Sequence, residues 1–310
     1  MSLPFPLGLI ASMAAVALRC WLLTGILLRV TRLRDGWDPL ALVFYTTPWP
    51  AMAAGFLLLA LHAARTKSHH ATVRNIVLMG GALFIWVAMS WYSAESTTKP
   101  GVLRVVHWNV FKPGWSFDSV GRWLAAQDAD IIALSEAEPL EGGNPARWAR
   151  HLPGYEIEVL RGNMMLLARG VVLNREDGAL APGAHYGVRE VRVRGRTVTV
   201  IQGDVFANVT WSRREALARL TNVVREHEGE NILVLGDLNT PRESVHFDPL
   251  RRIAAHAFES AGTGLAETWP WPLPALAIDH AWVGGKLRAV RCWQSQVPLS
   301  DHRAVVLEVE

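Results

Sequence analysis

The decisive stretch is NILVLGDLNT, residues 231–240. Ile232–Leu235 is a short run of aliphatic residues, the length of a buried strand rather than of a helix. The run ends at Gly236, and Asp237 and Asn239 follow it. Asp and Asn favour the turn after a strand, and both also carry oxygen or amide groups suited to a phosphate or a hard cation. The same grammar recurs along the chain. Val105-Val106 leads to Asn109, Ile131–Leu134 to Glu136, Ala277-Ile278 to Asp279-His280, and Val297–Ser300 to Asp301-His302. Each polar residue taken singly is explained as a turn or cap residue. Together, acids, amides and imidazoles at strand ends of one sheet edge converge on one site. Their oxygen-rich chemistry selects Mg2+, Ca2+ or Mn2+ over zinc.

Between these strands lie helical patterns. Asp118–Gln127 carries apolar residues at helical spacing, and Arg213–Glu226 (RREALARLTNVVRE) is amphipathic. Leu103–Trp108 reads as a strand, Val191–Ile201 alternates as one half-buried strand, and Val305–Leu307 closes the chain. Strands interleaved with helices and without a repeat make an α/β (α+β) domain.

Charge divides the chain. Residues 1–94 hold seven Lys or Arg and two Asp or Glu of the chain's 31 and 28, which leaves 24 and 26 for residues 95–310. The overall +3 is therefore +5 before Glu95 and −2 from Glu95 onward. This excludes disordered, coiled-coil and disulfide-scaffold classes. It also assigns the pI of 9.1 to residues flanking apolar runs rather than to a polyanion-binding face. Cys20 and Cys292 fall in different parts, with no metal-ligand spacing.

The apolar runs are long enough to span a bilayer. Pro39–Ala64 gives 26 residues without a charge and Asn75–Ala94 gives 20, with Trp86, Trp91 and Tyr92 toward one end. Pro48 and Pro50 kink the first of these or mark its true beginning. Ser2–Leu28, which contains Arg19, is the third candidate; it lacks the basic start of a signal peptide. Arg29, Arg32 and Arg34 in the first loop balance Arg65, Lys67 and Arg74 in the second. Only the first loop contains acids, Asp35 and Asp38, which tips the second toward the cytoplasm. The expected organisation is a membrane region of two to three helices over residues 1–94, a linker at 95–101 and a catalytic domain at 102–310, facing away from the cytoplasm.

His107-Trp108-Asn109-Val110, Leu134-Ser135-Glu136, Gly236-Asp237-Leu238-Asn239, Ile278-Asp279-His280 and Ser300-Asp301-His302, in this order, resemble the endonuclease/exonuclease/phosphatase superfamily. Thr268-Trp269-Pro270 upstream of Ile278 is similar to its bacterial, membrane-attached branch, which implies a bacterial inner membrane. The resemblance covers residues 102–310 and implies a four-layer sandwich, two central β-sheets flanked by helices. It implies that Glu136 is the main cation ligand, with Asp301 a second ligand and Asn109 beside the metal. By the same resemblance Asp237 orients or deprotonates the attacking water, Asn239 bonds a phosphate oxygen, and His302 donates to the phosphate with Asp279 fixing its tautomer. The chain departs from the family at Ser135, where Gln is commoner, and in the middle. Where many members carry a histidine after a central strand, Gln202–Asn208 offers Asp204 or Asn208 for substrate binding: Asn bonds a phosphate, while Asp adds negative charge beside it or binds a second cation.

The expected activity is hydrolysis of a phosphodiester, in nucleic acid, a lipid head group or a small molecule, by in-line water attack. A phosphomonoesterase and a catalytically silent phosphate-binding module are the alternatives; the complete motif set argues against the latter. A membrane transporter is disfavoured by the absence of acidic residues inside the spans. The partners implied are a phosphate-ester substrate and the lipid bilayer. Charge gives no sign of nucleic acid, since residues 95–310 are net negative. Arg192, Arg194 and Arg196 read as a solvated strand face, and His107, His151, His185, His246 and His256 as structural or surface residues. Arg213 and Arg214 read as capping and solvated, and Trp269 and Trp271 as candidates for the rim of the site.

Overall fold

The computed structural model describes residues 5–94, 101–110, 117–137 and 145–310. Contacts divide the chain into two units, Met1–Ser90 with Glu243–Val245, and Trp91–Arg242 with His246–Glu310.

The first unit is helical: α1 (Phe5–Val30), α2 (Asp38–Thr46), α3 (Trp49–Arg65) and α4 (His69–Ser90). Gly8–Val30 and His69–Ser90 are each long and apolar enough to cross a membrane. The uncharged run expected as one span from Pro39 to Ala64 is instead the pair α2 and α3, bent by 74°. The break falls at Thr47-Pro48, where proline supplies no amide hydrogen and the preceding residue leaves the helical region. If that bent pair is one span, the candidate spans among the described residues number three. Asp35, fully buried, accepts from Tyr45 Oη at 2.9 Å, from Ser244 Oγ at 2.5 Å and from the Val245 amide at 3.0 Å.

The second unit contains, among the described residues, fourteen strands and four further α-helices. In chain order these are β1 (Trp91–Ser93), β2 (Leu103–Asn109), α5 (Phe117–Ala126), β3 (Ile131–Ser135), α6 (Pro145–His151), β4 (Glu156–Leu160), β5 (Met164–Ala168) and β6 (Val171–Ala181). There follow β7 (Ala184–Val193), β8 (Arg196–Asp204), α7 (Arg214–Glu226), β9 (Ile232–Asp237), β10 (Ala254–His256), α8 (Ala257–Ala261), β11 (Gly262–Leu265), β12 (Asp279–Gly284), β13 (Ala289–Ser295) and β14 (Ala304–Val309).

An eight-stranded mixed sheet has the order β1-β11-β13-β14-β2-β3-β5-β4, and a six-stranded one the order β10-β12-β9-β8-β7-β6. Strand alternation sets the layers. Val105 of β2 and Leu233 of β9 share the core between the sheets. Val106 and Trp108, on the other face of β2, pack with Val120 and Leu124 of α5 and Trp148 of α6. Val234, on the other face of β9, packs with Leu217, Leu220 and Val224 of α7. The result is helix, sheet, sheet, helix, the expected four-layer sandwich. Burial on both faces explains why β3 and β9 read as unbroken aliphatic runs.

Two expected elements differ. Val191–Ile201 is not one strand: β7 and β8 form a hairpin turning at Arg194-Gly195. Both turn residues have positive φ, 47° and 74°, the geometry of a two-residue type I′ turn. The apolar run to Ala94 leaves the helix at Ser90, because Trp91–Ser93 pairs antiparallel with β11. Of the expected linker, residues 95–100 lie outside the described residues.

Candidate active site

Four strands deliver polar residues to the space between the sheets. On β2, Leu103 and Val105 line the inter-sheet core, and His107 and Asn109 follow on the same face. On β9, Leu233 and Leu235 precede Asp237; on β8, Val198 and Val200 precede Gln202 and Asp204. On β12, Asp279 shares its face with Ala281 and Val283. Register brings these ends together, since Asp237 pairs with Asp204 on one side and with Asp279 on the other. An apolar interior thus ends in a polar cluster.

Hydrogen bonds tie the cluster across both sheets. Asn109 Nδ2 donates to Asp237 Oδ2 at 2.9 Å and to Glu136 Oε1 at 3.2 Å. Asp237 Oδ1 accepts the Asn239 amide at 3.0 Å. His302 Nδ1 lies 2.8 Å from Asp279 Oδ2, and its Nε2 lies 3.9 Å from Asp237 Oδ2. One ligand atom each from Asp237, Asp279 and His302 fits within 4.8 Å. Glu136 and Asn239 hold left-handed backbone, with φ of 52° and 45°. Such conformations in residues other than glycine cost about 1 kcal/mol or more and concentrate at functional sites. Here they turn both side chains in at strand ends.

The electrostatics follow from crowding acids in a buried space. Burial, with the neighbouring Asp279 charge, pushes Asp237 up to about 6; His302, Asn109 and the Asn239 amide pull the other way. Burial would also raise Asp279, but the His302 charge, the His302 hydrogen bond and the nearby His107 imidazole hold it well below the usual carboxylate range. Burial would lower His302, but Asp279, Asp237 and Asp301 outweigh it and push it up to about 10. The dyad is thus an ion pair at neutral pH. Asp204 is driven well above the ordinary range, first by burial and then by Asp237, Glu136 and Asp279.

Of the remaining expected residues, Asp301 stands beside the dyad and accepts from Trp269 Nε1 at 2.9 Å. Asn239 Nδ2 donates to the Val205 carbonyl at 2.8 Å. An amide carries two such hydrogens, so one is left for a second acceptor. Asn208 is not brought into the cluster. It is exposed, and its Oδ1 accepts from Thr210 within its own loop.

Three participants were not anticipated. His107, expected to be structural or surface, is buried with Nε2 3.4 Å from Asp279 Oδ1, so Asp279 stands between two imidazoles. Its place two residues before Asn109 on a strand was the available signal. Gln202 crosses between the sheets, donating to the Leu134 carbonyl at 2.8 Å just before Glu136. Arg213, expected to be capping and solvated, stands at the N-cap of α7 but is buried rather than solvated, and it stacks on Phe206. Its guanidinium donates to the carbonyls of Asn208, Trp211 and Asn239. Arg194 pairs with Asp130 at 2.7 Å from the hairpin turn rather than from a continuous strand face.

The residues fit a divalent cation. Glu136, Asp204, Asp237, Asp279 and Asp301 surround one cationic imidazole, and Asp301 Oδ1 is buried without a hydrogen-bond partner among the described residues. Carboxylate oxygens in excess of local positive charge are the donor set of a hard cation.

Comparisons with known proteins agree with this fold. A solved endonuclease/exonuclease/phosphatase protein of Bacteroides vulgatus is similar at 19% identity and a TM-score of 0.58, over 67% of this chain and 98% of that one. A mannosyl-6-phosphatase of Bacteroides thetaiotaomicron is similar at 15% identity and 0.56, over 67% and 99%. D. rerio TDP2, solved with a single-strand DNA product, is similar at 12% identity and 0.57, over 68% and 99%. These likenesses show the fold. No curated protein matches the chain in sequence. The model of the Endonuclease/Exonuclease/phosphatase family matches residues 106–302. The chain belongs to the endonuclease/exonuclease/phosphatase family of metal-dependent phosphoesterases.

Proposed function

We propose that the protein is a membrane-anchored phosphodiesterase that uses a divalent cation, magnesium by the chemistry of its donors. The observation that carries this reading is the convergence of Glu136, Asn109, Asp237 and the Asp279–His302 ion pair at one end of the inter-sheet space. Bound magnesium, held by Glu136 with Asn109 and Asp301 beside it, would offset negative charge developing on the phosphate.

The chain's own residues supply the remainder. Asp237 orients a water and takes its proton; a carboxyl raised to about 6 is a stronger base than an ordinary aspartate and is still ionised at neutral pH. His302 is held cationic by Asp279 and donates through Nε2 to a phosphate oxygen. Asn239 donates its second amide hydrogen to the phosphate. Asp204 occupies the place of the phosphate-contacting residue at the end of β8, and Asn208 serves the approach of the substrate from the exposed loop. The diester is that of a lipid head group or small molecule rather than duplex nucleic acid, in keeping with the −2 charge from Glu95 onward. The spans α1, α4 and the bent α2–α3 pair hold the enzyme in a bacterial inner membrane with its catalytic part outside the cytoplasm.

Full-length protein in detergent, given magnesium or manganese, is expected to hydrolyse bis-p-nitrophenyl phosphate, and a chelator to abolish the reaction. Asp237→Ala and His302→Ala are each expected to lower kcat by about 100-fold or more. Turnover that survives either substitution would overturn the mechanism. A panel of sphingomyelin, phosphatidylinositol phosphates, nucleotides and plasmid DNA then ranks the substrate classes.

A further inference from the structure

Behind the catalytic strand ends lies a second pair of imidazoles that the chemistry above does not use. His280 is next to Asp279 on β12, but alternation sends its side chain to the opposite face, against Phe247 and Trp282. His256, the last residue of β10, stands 3.2 Å away, Nε2 to His280 Nδ1. Both are buried, at 6% and 1% exposure.

The hydrogen bonds of this pair admit one assignment. His280 Nε2 is 2.9 Å from the Thr240 carbonyl, which can only accept, so Nε2 carries the proton. A neutral His280 then accepts at Nδ1, so His256 carries its proton on Nε2. His256 Nδ1 is left to accept, and the Glu259 amide donates to it at 3.3 Å, at the start of α8. Both rings are buried against Phe247 and Trp282, an apolar surround that disfavours a charged imidazole. A chain of polarised bonds therefore runs from the Glu259 amide through two rings to the Thr240 carbonyl.

That carbonyl ends the turn that bears Asp237 and Asn239. The turn is under strain at Asn239, with φ of 45°. It is gripped on the site side by Asp237 Oδ1, on one flank by Arg213 Nε at the Asn239 carbonyl, and on the other by the Ile278 carbonyl at the Leu238 amide. From behind, the imidazole of His280 grips it at Thr240.

We infer that His256 and His280 form a positioning relay, a chain of two imidazoles anchored on the Glu259 amide that fixes the Asp237–Thr240 turn and so aims the Asp237 carboxylate and the Asn239 amide at the reacting phosphate. This rests on the catalytic reading of Asp237. Misplacing a catalytic group by about 1 Å can cost on the order of 100-fold.

The test combines kinetics with a spectroscopic signature in the full chain. In His280→Gln the amide nitrogen reaches the Thr240 carbonyl, so kcat on bis-p-nitrophenyl phosphate is expected to stay within about threefold of wild type. In His280→Leu, of similar volume but without the donor, kcat is expected to fall about tenfold or more, with KM within about twofold. His256→Leu, which leaves His280 free to take the other tautomer, is expected to fall between them. Equal kcat in folded Gln and Leu variants would overturn the relay, as would a folded His256→Leu with wild-type kcat. Independently of turnover, long-range 1H–15N spectra of the histidine-labelled chain in detergent at pH 7 are expected to show both rings neutral and protonated at Nε2. A ring protonated at Nδ1, or charged, would overturn the relay even if the wild type hydrolyses no diester.

Discussion

Asp237 is a residue whose burial makes its carboxylate more basic and opposes the fold. Its carboxyl is raised from near 4 to about 6, so ionising it in the native state is harder than in the unfolded chain. A raised folded pKa gives stability below the unfolded pKa that is lost as pH climbs to the folded one. Asp237→Asn removes the charge while keeping an acceptor for the Asn239 amide. It gives up the acceptor for Asn109 Nδ2, a cost independent of pH, so the expectation lies in the pH profile: the stability of the variant relative to wild type rises by roughly 1–3 kcal/mol between about pH 4 and pH 6 and is level above. Thermal melts across that range check it; a difference that stays level between pH 4 and pH 6 refutes it. The motif aspartates and His302 were legible in the sequence because each closes an aliphatic run. His107, Gln202 and Arg213 were not, because what gives each its role is a partner far along the chain, at Asp279, Leu134 and Asn239.

At the scale of elements, the β8–β9 pair shows why a glycine precedes Asp237. Gly236 stands opposite Gly203 in register, and a Cβ on Gly236 would run into the Gly203 carbonyl. The two strands therefore approach closely at the point where they deliver Asp204 and Asp237. Gly236→Ala is expected to cost about 2–4 kcal/mol and to reduce activity in the fraction that folds, read from chemical denaturation and from kcat. A melt within about 0.5 kcal/mol of wild type would refute the close approach. Buried strands were readable because their aliphatic runs are short and end in polar residues. The hairpin at Arg194-Gly195 was not, because the alternation of Val with Arg and Thr carries on across the turn. The bend at Thr47-Pro48 was signalled by its prolines, but composition alone could not say whether they kink one span or separate two helices.

At the scale of the whole chain, the uneven charge is the feature with consequences for placement. The apolar helices carry almost all the excess positive charge at their ends, and the catalytic part is slightly acidic. The protein is expected to stay in the membrane pellet after alkaline carbonate extraction. A reporter fused after Glu310 is expected to signal outside the cytoplasm; a cytoplasmic signal would reverse the orientation.

The short strand Trp91–Ser93 also decides how the catalytic part is to be handled in the laboratory. It lies at the rim of the eight-stranded sheet, paired with β11, and Tyr92 packs edge-on against Phe258 at 5.2 Å between centroids. Cutting where the composition changes, at Glu95, would strip that rim and leave β11 as a bare template for pairing between molecules. A soluble fragment beginning at Trp91 is expected to elute as a single monodisperse species, and one beginning at Glu95 to aggregate. Identical elution profiles would mean that the rim strand protects nothing.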